Sequence, residues 1–199
     1  MNIIDISTDL LTAQVFDGDP APKIQRLSRM DCGDEFELSA LYSSLHTATH
    51  IDAPLHFIED GDSVDKLDMG CFVGACTVIE LPKGMIAGVT IEQLFPRSCE
   101  RLLIKSGGNA HFMAGAVEDA CNLGLKLIGT DGLSIGKGEE DSAVHRAFLN
   151  NAVPILEGLD LSQVKAGKYF LIALPVKICG AEASFCRAVL IDDHIFWGG

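Results

Sequence analysis

The 199-residue chain carries 28 acidic against 15 basic side chains, a formal net charge of −13. That balance excludes a nucleic-acid backbone as partner, because clustered lysine and arginine are missing, and no polybasic run offers a handle to an anionic membrane. Hydrophobic residues make up 48% and mean hydropathy is +0.26, which supplies a buried core and excludes disorder; the length predicts one domain over residues 1–199.

The opening "MNIIDISTDL" has Asp5 and Asp9 where a secretory leader would be basic, so no leader is expected. No apolar run approaches the ~20 residues that span a bilayer. "NIIDIS" (2–7), "KIQRLSR" (23–29) and "FELSALYSS" (36–44) read as strands, the first two separated by the turn "DGDPAP" (17–22). "IEDGDSVDKLDMG" reads as an acidic surface loop, and "CFVGACTVIEL" (71–81) as a long strand buried on both faces. Then comes a short helix over "TIEQLF" (90–95), with Thr90 as N-cap and Gln93 three residues on. The strand "RLLIKS" precedes a helix over "MAGAVEDACNLG" that Gly124 closes. "LKLIGTDG" is a strand, "DSAVHRAFLNNA" a helix capped by Asp141 or Ser142, and "VPILEGL", "YFLIALPVKI" and "RAVLIDD" are final strands. Early strands followed by alternating strands and helices predict a mixed α/β domain. Seven cysteines without a C-x-x-C pair read as small buried hydrophobes of a reducing, cytoplasmic compartment.

The chemistry concentrates in "HTATHIDAPLHF", which places three of six histidines and an aspartate within twelve positions. A helix would separate Asp52 from His46 and His50, and Pro54 would break it. A strand puts His46, Ala48, His50 and Asp52 on one face and Thr47, Thr49 and Ile51 on the other, with His56 just past the turn set by Pro54. The β-branched residues favour the strand. Two imidazoles and a carboxylate converging in this way suit zinc or manganese, which take such donors at about 2.0–2.2 Å. The plainer alternative is a set of ordinary polar residues on a half-buried strand.

Further donors must come from elsewhere in the chain. His145 lies in the helix "SAVHRAFL", and Glu157 ends the apolar strand "VPILE", where burying a carboxylate is costly unless it is paired or binds a cation. Taken alone, His145 reads as an ordinary helix histidine and Glu157 equally well as a hydrated strand end. His111 and His194 remain without a role.

"HTATHIDAPLHF" resembles the His-Thr-Gly-Thr-His-x-Asp-x-Pro-x-His signature of the metal-dependent cyclase-like hydrolases, the family of bacterial kynurenine formamidase and isatin hydrolase. "GTDGLSIG", "HRAFLNNAVPILEGLDLSQVKAGKYFLIALPVKICGAE" and "CRAVLIDD" resemble its later blocks in order, and "DGDPAP" its early Pro-Gly-Asp-Pro turn. The resemblance implies a swivelling β/β/α domain with a mixed sheet core, assembled as a homodimer or homotetramer. It implies that His46, His50 and Asp52 bind metal, that Asp52 bridges two ions, and that His145 and Glu157, twelve residues apart, complete the second. It makes His56 the acid/base. Two departures stand out: Ala48 occupies a glycine position, and "IKSGGNAHFMAGAVEDACNLG" is short and lacks an aromatic-rich stretch. The one tryptophan, Trp197, is near the terminus.

The expected reaction is hydrolysis of an arylformamide-like amide in a small molecule by metal-activated water, with zinc or manganese as the divalent ion. His56 would move the proton between water and the leaving nitrogen. Asp131 and Ser134 in "TDGLSIG" either orient a ligand by hydrogen bonds or are turn residues. Two alternatives stay open: a ring hydrolase for a cyclic imide, lactam or lactone of the isatin type, with one manganese ion, and a metal-binding scaffold or sensor without turnover.

Overall fold

The structure, a computed structural model, describes residues 2–192. Its strands are β1 (Asn2–Asp5), β2 (Lys23–Ser28), β3 (Leu38–Tyr42), β4 (His50–Asp52), β5 (Val73–Glu80), β6 (Gly84–Ile86), β7 (Arg101–Lys105), β8 (Ala110–Phe112), β9 (Leu127–Thr130), β10 (Ile155–Glu157), β11 (Gly167–Ile172), β12 (Ala183–Phe185) and β13 (Val189–Asp192). The α-helices are α1 (Gly88–Leu94), α2 (Val117–Cys121) and α3 (Asp141–Asn150).

Nine strands form one mixed sheet in the order β1-β13-β11-β5-β7-β9-β10-β4-β12. The four from β5 to β10 in that order run parallel, and their outer neighbours are antiparallel. The period of two decides where each side chain goes. Leu102, Ile104, Ile128 and Ile155 enter a core with Phe112, Val117, Val144 and Phe148, beneath α2 and α3. Leu103, Leu127 and Leu156 enter a second core with Ile51, Leu171 and Leu190, on the face that the sheet curls around. Both faces of β7, β9 and β10 are buried, so these three read as unbroken apolar runs, whereas β5, expected to be buried on both faces, buries Cys76 and Val78 on one face and leaves Ala75 exposed on the other. This is the mixed α/β, swivelling β/β/α arrangement expected.

The differences are local. β3 does not run on into the histidine strand; it pairs with β2 as a separate ribbon, and every residue of β2 and β3 except Ser28 is exposed. The strand itself is only His50–Asp52, because Ala48 stands at φ +61° and turns the chain just before it. Ala87, not Thr90, caps α1; Thr90 is its third residue and its hydroxyl accepts the Ala87 N–H at 3.3 Å. Glu140 precedes α3, so Asp141 and Ser142 are its first residues. β6 and β8 form a parallel pair, and together with β12 they were not foreseen; each is three residues long. Asp193, at the end of the "RAVLIDD" strand, and His194 and Trp197 lie outside the described residues.

All seven cysteines are free thiols: Cys76 and Cys99 are buried as expected, whereas Cys32 and Cys179 are exposed. Among the described residues no helix is long and apolar enough to cross a membrane.

Candidate metal centre

β4 lies between β10 and β12, with Asp52 facing Ile155 and Ala183, and His50 facing Glu157 and Phe185. Antiparallel pairing therefore carries the Glu157 carboxylate to the histidine strand. α3, whose Val144, Phe148 and Leu149 are buried, brings His145 in from the helical layer. His46 reaches the same point from the turn before β4. Glycine at 158 makes the approach possible: a Cβ there would lie 2.1 Å from the Ala48 carbonyl oxygen.

Two triplets of donors result, His46–His50–Asp52 and Asp52–His145–Glu157. Asp52 Oδ1 lies 2.9 Å from His46 Nδ1 and 3.4 Å from His50 Nε2. Asp52 Oδ2 lies 3.6 Å from His145 Nε2, which is 3.2 Å from Glu157 Oε1; Glu157 Oε2 is 3.6 Å from His50 Nε2. The outer nitrogens of two imidazoles are fixed by main-chain carbonyls, His50 Nδ1 by Ala48 at 2.9 Å and His145 Nδ1 by Asp141 at 2.8 Å. With Nδ1 donating, each Nε2 offers its lone pair to the cluster.

The cluster fits a divalent cation. Asp52 is fully buried, and among the described residues neither of its oxygens completes a hydrogen bond, His46 Nδ1 at 2.9 Å included, nor does His50 Nε2. Such groups are costly in a folded interior unless something charged meets them. Burial pushes the Asp52 carboxyl up, but His50 and His46 outweigh it and hold it well below the usual range. Burial likewise pushes His50 and His145 down, yet the carboxylates prevail, Asp52 first for His50 and Glu157 first for His145, raising them to about 9 and about 10. The cluster attracts positive charge.

His56 stands just outside, in the short helical turn Pro54–His56, stacked on His46 with ring centroids 4.1 Å apart and 6.0 Å from the His145 ring. Burial pushes it down to about 4 against the pull of Asp52, so the ring is neutral at pH 7. A cavity of about 230 Å³ opens over these rings, with Phe16, Phe57 and Leu133 as apolar walls and Asp19 at its margin. It shares Phe16, Leu133, Ser134 and Asp141 with a wider hollow of about 740 Å³ that extends past Gly107, Asn109 and His111.

The Cyclase family model ("Putative cyclase") matches residues 4–137, more than half of the chain. The chain belongs to this family. Two curated relatives match the cyclase-family chain over nearly its full length. The kynurenine formamidase of Erythrobacter litoralis is 33% identical over 201 residues, covering 94% of this chain and 93% of its own. That of Delftia acidovorans is 35% identical over 199 residues, covering 94% and 95%. A "predicted metal-dependent hydrolase" from Bacillus stearothermophilus superposes with a TM-score of 0.82 at 26% identity, covering 95% and 97%. Isatin hydrolase A from Labrenzia aggregata shares the fold, with a TM-score of 0.84 at 19% identity and coverage of 96% and 94%.

The two flanking candidates separate within the cyclase-family site. The Ser134 hydroxyl bonds the Asp141 carboxylate, next to the carbonyl that holds His145, and Ser134 lines the cavity. The Asp131 carboxylate is instead taken up by the Ser106, Gly107 and Gly108 N–H groups and the Ser106 hydroxyl. These bonds shape the loop after β7, and Asp131 lines the wider hollow. Phe16, Asp19 and Asp141 were not foreseen at the site; the "DGDPAP" turn was the one available signal for Asp19. The aromatic walls come from residues 16 and 57 instead of the segment after β7.

Proposed function

We propose that this chain, acting as one domain over residues 1–199, is a metal-dependent amidohydrolase that cleaves an arylformamide-like C–N bond in a small molecule. The observation that carries the reading is the Asp52 carboxylate, fully buried where two histidine-containing triplets meet and, among the described residues, without a completed hydrogen bond at either oxygen. The kynurenine formamidase relatives support the amide class. His46, His50 and Asp52 would hold a divalent ion, and His145 and Glu157 a second one shared through Asp52; nitrogen and oxygen donors of this kind suit zinc first and manganese as the alternative. A bound ion supplies water that loses its proton near neutral pH and a Lewis-acidic contact for the carbonyl oxygen.

The chain's own residues do the rest. The carbonyls of Ala48 and Asp141 keep the ligand lone pairs aimed inward. His56 takes a proton from water at its free ring nitrogen and returns it to the departing amine, so that amide and water become formate and amine. Phe16 and Phe57 would offer flat apolar contact to an aryl ring, with Leu133 beside them.

The β2–β3 ribbon supports assembly as a homodimer or homotetramer. Leu27, Met30, Phe36, Leu38, Leu41 and Tyr42 are each 46–66% exposed on and around it. An isolated two-stranded ribbon is marginal in water, and a second copy would cover it. The two buried and three partly buried free thiols support a reducing compartment, the cytoplasm.

Ions per chain should be measured by elemental analysis on the wild type and on Asp52→Ala, alongside hydrolysis of N-formylkynurenine. Two ions and turnover, both lost with Asp52, fit the proposal. One manganese ion with turnover only on cyclic imides or lactones would replace it with a ring hydrolase. Bound metal without turnover on either would leave a scaffold or sensor, and no bound metal would overturn the reading.

A further inference from the structure

We infer that Glu182 is a positioning residue: its carboxylate fixes the ring of His46, and through it both the metal affinity of the first triplet and the placement of His56. The inference rests on the metal-centre reading above and deepens it.

The argument is one of completeness. An imidazole that gives one nitrogen to a cation needs an acceptor on the other, which fixes its tautomer and its tilt. His50 and His145 have that acceptor in the carbonyls of Ala48 and Asp141. His46 makes no such contact with a carbonyl. Its Nδ1 faces Asp52 at 2.9 Å and its Nε2 faces Glu182 Oε1 at 3.4 Å, so the ring stands between two carboxylates, one buried and one partly open to solvent. Glu182 therefore stands, at ion-pair distance, on the side where the other two rings have a main-chain acceptor. Unlike those neutral carbonyls it is a carboxylate, and charge-assisted contacts of this kind are the stronger ones.

Its placement follows from the sheet and is not an accident of the surface. Glu182 directly precedes β12, whose Ala183 pairs with Asp52, and its own carbonyl accepts the Ala53 N–H at 2.9 Å. The register that sets Asp52 thus sets Glu182 as well. His46 has more need of help than the other ligands, since it lies in a turn, not in a strand or helix, and keeps 19% of its side chain exposed. The His46 ring is also the surface on which His56 stacks, so a His46 free to rotate would displace the proposed base.

The test compares Glu182→Gln and Glu182→Ala with the wild type and with Glu92→Gln on α1 as a surface control. Zinc affinity is read by competition with a chromophoric chelator, the unfolding midpoint of the metal-free proteins is measured, and kcat and KM are taken at saturating zinc. Loss of an outer-shell partner weakens metal binding by about 10–100-fold. Alanine should approach the upper end. Glutamine keeps an acceptor oxygen without the charge and should fall between alanine and wild type. Midpoints without metal should match the wild type, and kcat should fall at saturating zinc while KM changes little. Wild-type affinity in both variants would overturn the inference while leaving the metal centre in place. Equal loss of metal-free stability in both variants, with affinity unchanged, would mark Glu182 as structural and also overturn it. A wild type that binds no zinc would overturn the metal centre and this inference together.

Discussion

Replacing Gly158 with alanine tests how closely the segments that build the centre approach one another. Gly158 has φ +65°, its N–H donates to Gly132 at 2.9 Å, and its carbonyl accepts the Thr49 and Thr8 hydroxyls at 2.7 and 3.0 Å. An added methyl would lie 2.1 Å from the Ala48 oxygen and 2.7 Å from its carbonyl carbon, atoms of main chain that cannot rotate away. A left-handed L-residue costs about 1–2 kcal/mol, and overpacking costs about 1–3 kcal/mol. The reduced entropy of the unfolded alanine chain returns about 0.4–1 kcal/mol. The expected net loss is about 2–4 kcal/mol, which for a chain of this length lowers Tm by about 5–15 °C. The effect should reach the ligands, because Ala48 holds His50 and Glu157 is the preceding residue. Urea and thermal unfolding of the metal-free protein, with metal analysis on the same samples, give both readings. A loss below about 1 kcal/mol with normal metal content would refute the close-approach argument.

His56→Ala should leave metal content unchanged and lower kcat by about 10²–10⁴-fold; unchanged turnover would remove the acid/base assignment. Chelation of the wild type should lower stability by about 2.7 kcal/mol for each ion held at a hundred times its Kd, a drop in Tm of about 5–11 °C per ion in a scanning calorimeter. Ala48→Gly should raise stability by about 0.5–1 kcal/mol, since relief at φ +61° exceeds the entropy cost; a clear fall in Tm would contradict that balance. The Asp65 carboxyl is drawn down to about 2, first by the Ser63 hydroxyl and then by the Gly180 N–H. Its contribution is complete above its ordinary value of 3.8 and lost as pH falls toward 2, so Ser63→Ala should flatten the decline of stability across that window in acid-unfolding curves.

The parallel strands were legible because burial on both faces writes itself as runs such as "RLLIK" and "LKLIG". α2 followed from helical spacing, although it is shorter than expected: it ends at Cys121 with Asn122 as its cap, and Gly124, at φ +87°, lies in the turn that follows. His50 and Asp52 were readable as a pair on a strand. The path of the chain at His46 was not, because an alanine gives no warning of a left-handed conformation; the glycine of the signature was the only hint. Glu157 could be read as a costly strand end, but which carboxylates it would join depended on strand order. β6, β8 and β12 are too short to show a period. Phe16 and Glu182 reach the site by tertiary folding from segments with no local pattern, Asp19 was signalled only by its turn, and Asp141, expected as a cap, acts through its carbonyl.

Asp52 offers one oxygen to each triplet, Oδ1 toward His46 and His50 and Oδ2 toward His145. If the two halves each hold an ion as proposed, they would be thermodynamically linked through a single negative charge. Whatever factor the first cation imposes on the affinity for the second, the second imposes on the first, whichever half fills earlier. A carboxylate already neutralised on one side attracts less on the other, so a metal titration should resolve into two unequal steps. The proportion of fully loaded protein would then track the free ion concentration, making the supply of metal itself a control on how much of the enzyme works.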